Sequence, residues 1–141
     1  MDALKNVVDY GVIGLLIALS IWAVAVAIER WLFYRRVDIA QFPTLHLCEI
    51  ALTRRLVVIG TIAANAPYIG LLGTVLGIML TFQTMGTAGT MAVSTIMIGL
   101  SLALKATAMG LLVAIPCVVM NNVLRRRVTE LVMLYKSQHG S

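Results

Sequence analysis

Two threonines define the chemistry open to this chain. Thr74 and Thr107 each lie near the middle of a long apolar stretch, one over about residues 60–83 and the other over about 92–121. A hydroxyl at that depth can bond its own backbone carbonyl and stay inert. It can equally donate to, accept from and relay between a carboxylic acid and water. At about 100° per residue, Gly70, Gly77 and Thr81 fall on the same helical stripe as Thr74, and Ala103, Gly110 and Ala114 on that of Thr107. All are small or weakly polar, so the stripes suit either close packing of membrane helices or the lining of a polar lane.

Lys105 is the one charged side chain in residues 56–124. A lysine at a helix centre costs about 2.5–3.5 kcal/mol on insertion scales, so it faces a cavity, a partner or an interface. Its azimuth is roughly opposite that of Thr107 on a 3.6-residue helix, which assigns it to a subunit, partner or lipid contact rather than to the same pore. Arg125, Arg126 and Arg127, where the last apolar stretch ends, are expected to make contacts of the same kind. Glu29 and Arg30 close the first stretch and read as an interfacial ion pair or a bundle contact.

No ordinary enzyme chemistry is indicated. The chain has no Ser-His-Asp set, and Gly70, Gly73 and Gly77 lack the strand and the Lys-Thr pair of a phosphate-binding loop. Cys48, Cys117 and His46 have no metal-binding spacing, so neither a metal nor a cofactor is expected.

The elements that must position these residues follow from composition. Of the 141 residues, 60% are hydrophobic and 12% charged, against about 45–50% and about 25% in soluble chains. The net charge of +5 does not indicate nucleic acid, because the basic residues cluster where apolar stretches end. Residues 10–29 form a first span that follows Asp2 and Asp9 and lacks the features of a cleaved signal, so it is expected to remain as an anchor. A short connector occupies about 36–55, a Gly- and Thr-rich turn about 84–91, and a helical tail runs on to about 136. The expected fold is an all-α membrane domain over 1–141 with three transmembrane helices, the second and third extended into the cytoplasm. Five Lys or Arg residues lie between the first and second spans (Arg30, Arg35, Arg36, Arg54 and Arg55) and four in the tail, against Lys5 alone at the N-terminus. That bias places the N-terminus in the periplasm and the C-terminus in the cytoplasm.

The run from Ala66 to Met79, with its Pro67, Gly70, Gly73, Thr74 and Gly77, is followed by that from Ala106 to Pro116, with Thr107 and Gly110. Together with Ile28-Glu29-Arg30 these residues resemble the ExbB, TolQ and MotA group of proton-channel proteins, most closely ExbB and TolQ. The resemblance implies a ring, a pentamer by expectation, in the inner membrane of a Gram-negative bacterium, with the second and third spans around a central pore. It also implies a single-span partner, ExbD or TolR, whose membrane aspartate works beside Thr74 and Thr107. In an ExbB-type system the output passes to TonB and drives uptake across the outer membrane. A TolQ-type role in the Tol-Pal envelope system fits the same motifs, and a non-energised scaffold or small channel fits the apolar spans alone. Three features depart from the pattern: Leu102 where many relatives have a glutamate, the basic Lys105, and a connector short for the family.

Overall fold

The computed structural model describes residues 2–89 and 92–139. Four α-helices account for nearly all of them: α1 (Asp2–Arg36), α2 (Leu45–Thr53), α3 (Leu56–Ala88) and α4 (Val93–Gln138). Three are long and apolar enough to cross a membrane. With 35, 33 and 46 residues, α1, α3 and α4 extend about 50, 50 and 70 Å at about 1.5 Å per residue, well beyond a hydrocarbon core of about 30 Å. Uninterrupted helix is what such sequence must form in lipid, where every backbone polar group needs an internal partner.

Local chemistry sets the helix ends. Arg35 and Arg36 occupy the last turn of α1, where cations complement the negative end of the helix dipole. A short 3-10 turn, Ile39–Gln41, follows, with Asp38 Oδ1 accepting from the Ala40 amide at 3.0 Å. Thr44 caps α2 by accepting from the Leu47 amide at 3.2 Å, the usual service of an N-cap hydroxyl. Between α2 and α3 the chain turns at Arg55, a non-glycine residue with φ of 68°.

Residues 84–88 belong to α3 rather than to the turn. The Thr84 hydroxyl donates to the Leu80 carbonyl (2.8 Å) and that of Thr87 to Gln83 (3.2 Å), so these polar residues are satisfied within the helix. Gly89 ends α3 at φ 78°, its amide donating to Met85 O at 3.2 Å, because glycine accepts the left-handed geometry without a Cβ penalty. Thr90 and Met91 of the expected turn lie outside the described residues. Pro67 and Pro116 both sit inside continuous helix.

Helices α3 and α4 pack along their length, with α1 against both. One buried cluster joins Leu16 and Ala23 of α1 to Ile62, Ala66, Val113 and Cys117. A second, at the connector end, gathers Tyr34, Leu52, Leu56, Ile59, Leu124 and Tyr135. There Arg30, only 3% exposed, donates to the Ala51 carbonyl at 2.9 Å and forks onto Glu29 at 2.5 and 2.7 Å. Tyr34, one turn on, donates to Leu52 O, and Tyr135 donates to Phe42 O at 2.8 Å. The carbonyls that end α2 would otherwise lack partners, and two donors from α1 supply them.

Candidate proton-handling site between α3 and α4

The site begins where two glycines let the backbones touch. A Cβ built on Gly70 would stand 2.6 Å from the Ala106 carbonyl oxygen and 3.2 Å from the Cα of Thr107. At Gly77 it would meet the Cβ of Ala103 at 2.8 Å. Between these two contacts lies Thr74, 8% exposed.

Its hydroxyl reaches the Ala103 carbonyl at 2.9 Å and its own Gly70 carbonyl at 3.3 Å, and it is hydrogen-bonded to the hydroxyl of Thr107. Thr107 Oγ1 in turn lies 3.5 Å from Gly70 O. Each hydroxyl has one proton to donate and lone pairs with which to accept. Two arrangements therefore satisfy the pair: Thr107 donates to Thr74, which donates to Ala103 O, or Thr74 donates to Thr107, which donates to Gly70 O. Exchange between them reverses the direction of a short hydrogen-bond chain across the α3–α4 interface, which is the motion a proton relay requires. Thr74 is enclosed, whereas Thr107 is half-buried and reaches the surface of the chain.

The other residues singled out by their spacing fall into two groups. Gly70, Gly77, Ala103, Gly110 and Ala114 lie in or beside the contact of α3 with α4, buried or in van der Waals contact within one chain. Thr81, 3% exposed, donates to Gly77 O at 2.9 Å and accepts from the Lys5 ammonium at 2.5 Å. Lys105 is exposed, away from the threonine pair. Arg125 is exposed and donates to Asn121 at 3.1 Å, while Arg126 and Arg127 pair with Glu130 at 3.3 and 3.1 Å. Among the described residues no group of three His, Cys, Asp or Glu side chains could hold a metal ion.

Sequence reasoning treated Asp9 and Lys5 only as charges preceding the first span. In the fold, α1 begins at Asp2, and Asp9 is 0% exposed, with Oδ1 3.1 Å from the Cβ position of Gly77. A periodic signal was available: Asp9, Leu16, Ala23 and Arg30 recur every seventh residue, and all four are buried. The apolar length of the span does not identify its inward face.

The architecture is that of a multi-pass α-helical membrane protein with a hydrogen-bonded hydroxyl pair enclosed between two of its helices. This chain belongs to the MotA/TolQ/ExbB proton channel family, whose model matches residues 44–137. It is 48% identical over 140 residues to the "Biopolymer transport protein ExbB" of Aquifex aeolicus, covering 99% of this chain and 95% of that protein. The "Putative biopolymer transport protein ExbB-like 2" of Helicobacter pylori is 49% identical, over 96% of this chain and 91% of its own. A "Tol-Pal system protein TolQ" from Pseudomonas aeruginosa is 42% identical over 64 residues, 45% of this chain and 28% of its own.

Proposed function

We propose that this chain is the ring subunit of an ExbB-type motor in a bacterial inner membrane, using the proton-motive force to energise TonB-dependent uptake across the outer membrane. Several copies, five by the family pattern, surround a central pore with α3 and α4 inward, the N-terminus periplasmic and the C-terminus cytoplasmic. The ends of α3 and α4 beyond the bilayer form, with α2, a small cytoplasmic bundle. A single-span partner of the ExbD kind stands in the pore and presents a membrane aspartate. Protons pass between that aspartate and the hydroxyls of Thr107 and Thr74, each releasing about 2.3 kcal/mol per 100 mV of membrane potential. The partner's movement is then handed to a TonB-like protein.

The observation that carries this reading is the bonded pair of hydroxyls, Thr74 within the fold and Thr107 at its surface. That arrangement suits a relay whose acid belongs to another polypeptide. The ExbB role is preferred to a TolQ role because the ExbB of Aquifex aeolicus matches almost the whole chain, and the TolQ of Pseudomonas aeruginosa less than half. The exposed apolar surface of α1, including Ile21, Trp22 and Trp31, suits contact with lipid.

Affinity purification of the tagged chain from native membranes tests the reading. It should bring down a short protein with one membrane helix and one aspartate within it. Deletion of the gene should produce iron starvation. Detergent sensitivity and cell chaining would instead indicate the Tol-Pal role, and recovery of the chain alone would indicate a scaffold or simple channel.

A further inference from the structure

We propose that Asp9 is a proton-binding acid supplied by this chain itself, set between a water-accessible vestibule and the Thr74–Thr107 pair; as a step in a conduction path it rests on the function proposed above.

Both Asp9 carboxylate oxygens are buried, and neither has a hydrogen-bond partner. Among the described residues no other buried side-chain nitrogen or oxygen is left unpaired in this way. Leaving a polar group out of water without a partner is costly, and for a charge it is more so. Ionisable groups at membrane depth accordingly mark ion and proton routes. A purely structural role would call for a donor facing the carboxylate, and α3 and α4 present none. Gly77 of α3 lies beside the carboxylate, with Ala103 of α4 packed on it, and neither side chain carries a polar atom.

Space for water lies one turn away. A cavity of about 260 Å³, lined by Lys5, Asn6, Thr81, Thr84 and Thr95 among others, sits at the end of the bundle where α1 begins. Lys5 is four residues before Asp9, hence on the same face of α1, and its ammonium is bonded to Thr81 at 2.5 Å. On the other side, Gly77 and Ala103 stand between Asp9 and Thr74. The Ala103 Cβ packs on Gly77 beside Asp9 Oδ1, and the Ala103 carbonyl accepts the Thr74 hydroxyl at 2.9 Å. The order from the vestibule inward is therefore Lys5 and Thr81, then Asp9, then Thr74 and Thr107.

The charged groups around Asp9 are few. On α1, Lys5 is the counter-charge; α3 contributes Gly77 beside Asp9 and Thr81 beside Lys5, and α4 contributes Gly99 beside Lys5 and Ala103 beside Gly77, none of which titrates. Lys105, on α4, is exposed. The neutral acid suits the enclosed state, and Lys5 balances the anion once water enters. In the step itself one O–H bond forms on Asp9 as a vestibule water species gives up a proton, and the same bond breaks when the proton passes to water on the Thr74 side.

The test uses the complex purified with its partner and reconstituted in lipid vesicles. Infrared difference spectra recorded through a pH titration should show carbonyl stretches of protonated carboxylic acids, and Asp9→Asn should remove one component, leaving that of the partner's aspartate. Proton flux in Asp9→Asn should fall about 100-fold, the lower range for loss of a positioned proton-transfer group. Should Asp9→Asn fail to assemble, the double variant Asp2→Asn, Asp38→Asn keeps Asp9 as the sole aspartate. Carbon-13-labelled aspartate in that chain then assigns the band directly. Spectra in which Asp9→Asn removes no titrating band, or in which no titrating band shifts when aspartate is labelled in this chain alone, overturn the proposal. So does wild-type flux in Asp9→Asn while Thr74→Val is inactive, a result that leaves the proposed function standing. Failure of that function would appear instead as a wild-type complex unable to support iron-chelate uptake, and the infrared titration decides for or against Asp9 in that case too.

Discussion

Gly70 and Gly110 meet back to back, so that a Cβ on Gly110 would stand 2.6 Å from the Ala66 carbonyl oxygen and 3.0 Å from the Cα of Gly70. Backbone, not side chain, occupies the space on both sides. Gly110→Ala should therefore push α3 and α4 apart at the level next to Thr74, costing about 1–3 kcal/mol as overpacking does. Thermal unfolding of the purified protein in detergent measures the effect. Gly14→Ala, at a position with nothing within 4 Å, should leave the transition unchanged or raise it, since alanine is the better helix former.

Thr74→Val and Thr107→Val keep the side-chain shape but remove the two hydroxyls that the proposed relay uses. Losing about 1.4 kcal/mol of hydrogen bonding from the transfer barrier slows flux about tenfold. Both variants should assemble normally and lose iron-chelate uptake by about that factor or more. Thr74→Ser and Thr107→Ser retain the hydroxyl and should recover most of it. Full uptake by both valine variants would remove the pair from the path.

Arg30 and Tyr34 hold α2 by its terminal carbonyls. Arg30→Met removes a charged donor to Ala51 O, a bond worth about 1.5–3 kcal/mol, and Tyr34→Phe removes a neutral one worth about 1 kcal/mol. Cleavage by trypsin at Arg54 and Arg55, both exposed, should accelerate in the order wild type, Tyr34→Phe, Arg30→Met. Equal rates would show that α2 is held by other contacts.

Burial, with a smaller contribution from Glu49, pushes the Cys48 thiol above its ordinary range. A raised thiol value means less thiolate at any given pH, and the thiolate is the reactive form. Cys48 should thus resist maleimide at neutral pH and become reactive only as the pH rises above the range of a free thiol or the fold is opened by denaturant. Mass spectrometry of the labelled chain counts the adducts. Rapid labelling in the folded state at neutral pH would contradict the packing of α2 on α4.

Lys105 is exposed on the outside of α4, and a cation in apolar surroundings needs an oxygen-bearing neighbour. Lys105→Met should weaken subunit association or lipid retention more than it lowers proton flux. Native mass spectrometry reporting an unchanged oligomer with unchanged lipid would refute this assignment.

Membrane residence, the three long helices and the placement of one threonine on each of the last two were legible in the sequence. They rest on the length of apolar runs and on the presence of a single charge, Lys105, in residues 56–124, both one-dimensional quantities. The repeated small residues that bring α3 and α4 together could be read in the same way, as a spacing of three or four. Spacing also pairs Lys5 with Asp9 on one face of α1, but it does not say what that face meets.

Tertiary structure alone decided the remainder. That the Thr74 hydroxyl finds Thr107 and Ala103 O, rather than only its own Gly70 carbonyl, depends on the rotation of α4 about its axis. That Asp9 is enclosed against Gly77, although it precedes the first run of uncharged residues, depends on where α1 docks along α3. Helix periodicity orders the residues around one axis, whereas contacts between axes are set by packing over the whole interface. A carboxyl group read as a boundary charge thus became an interior one.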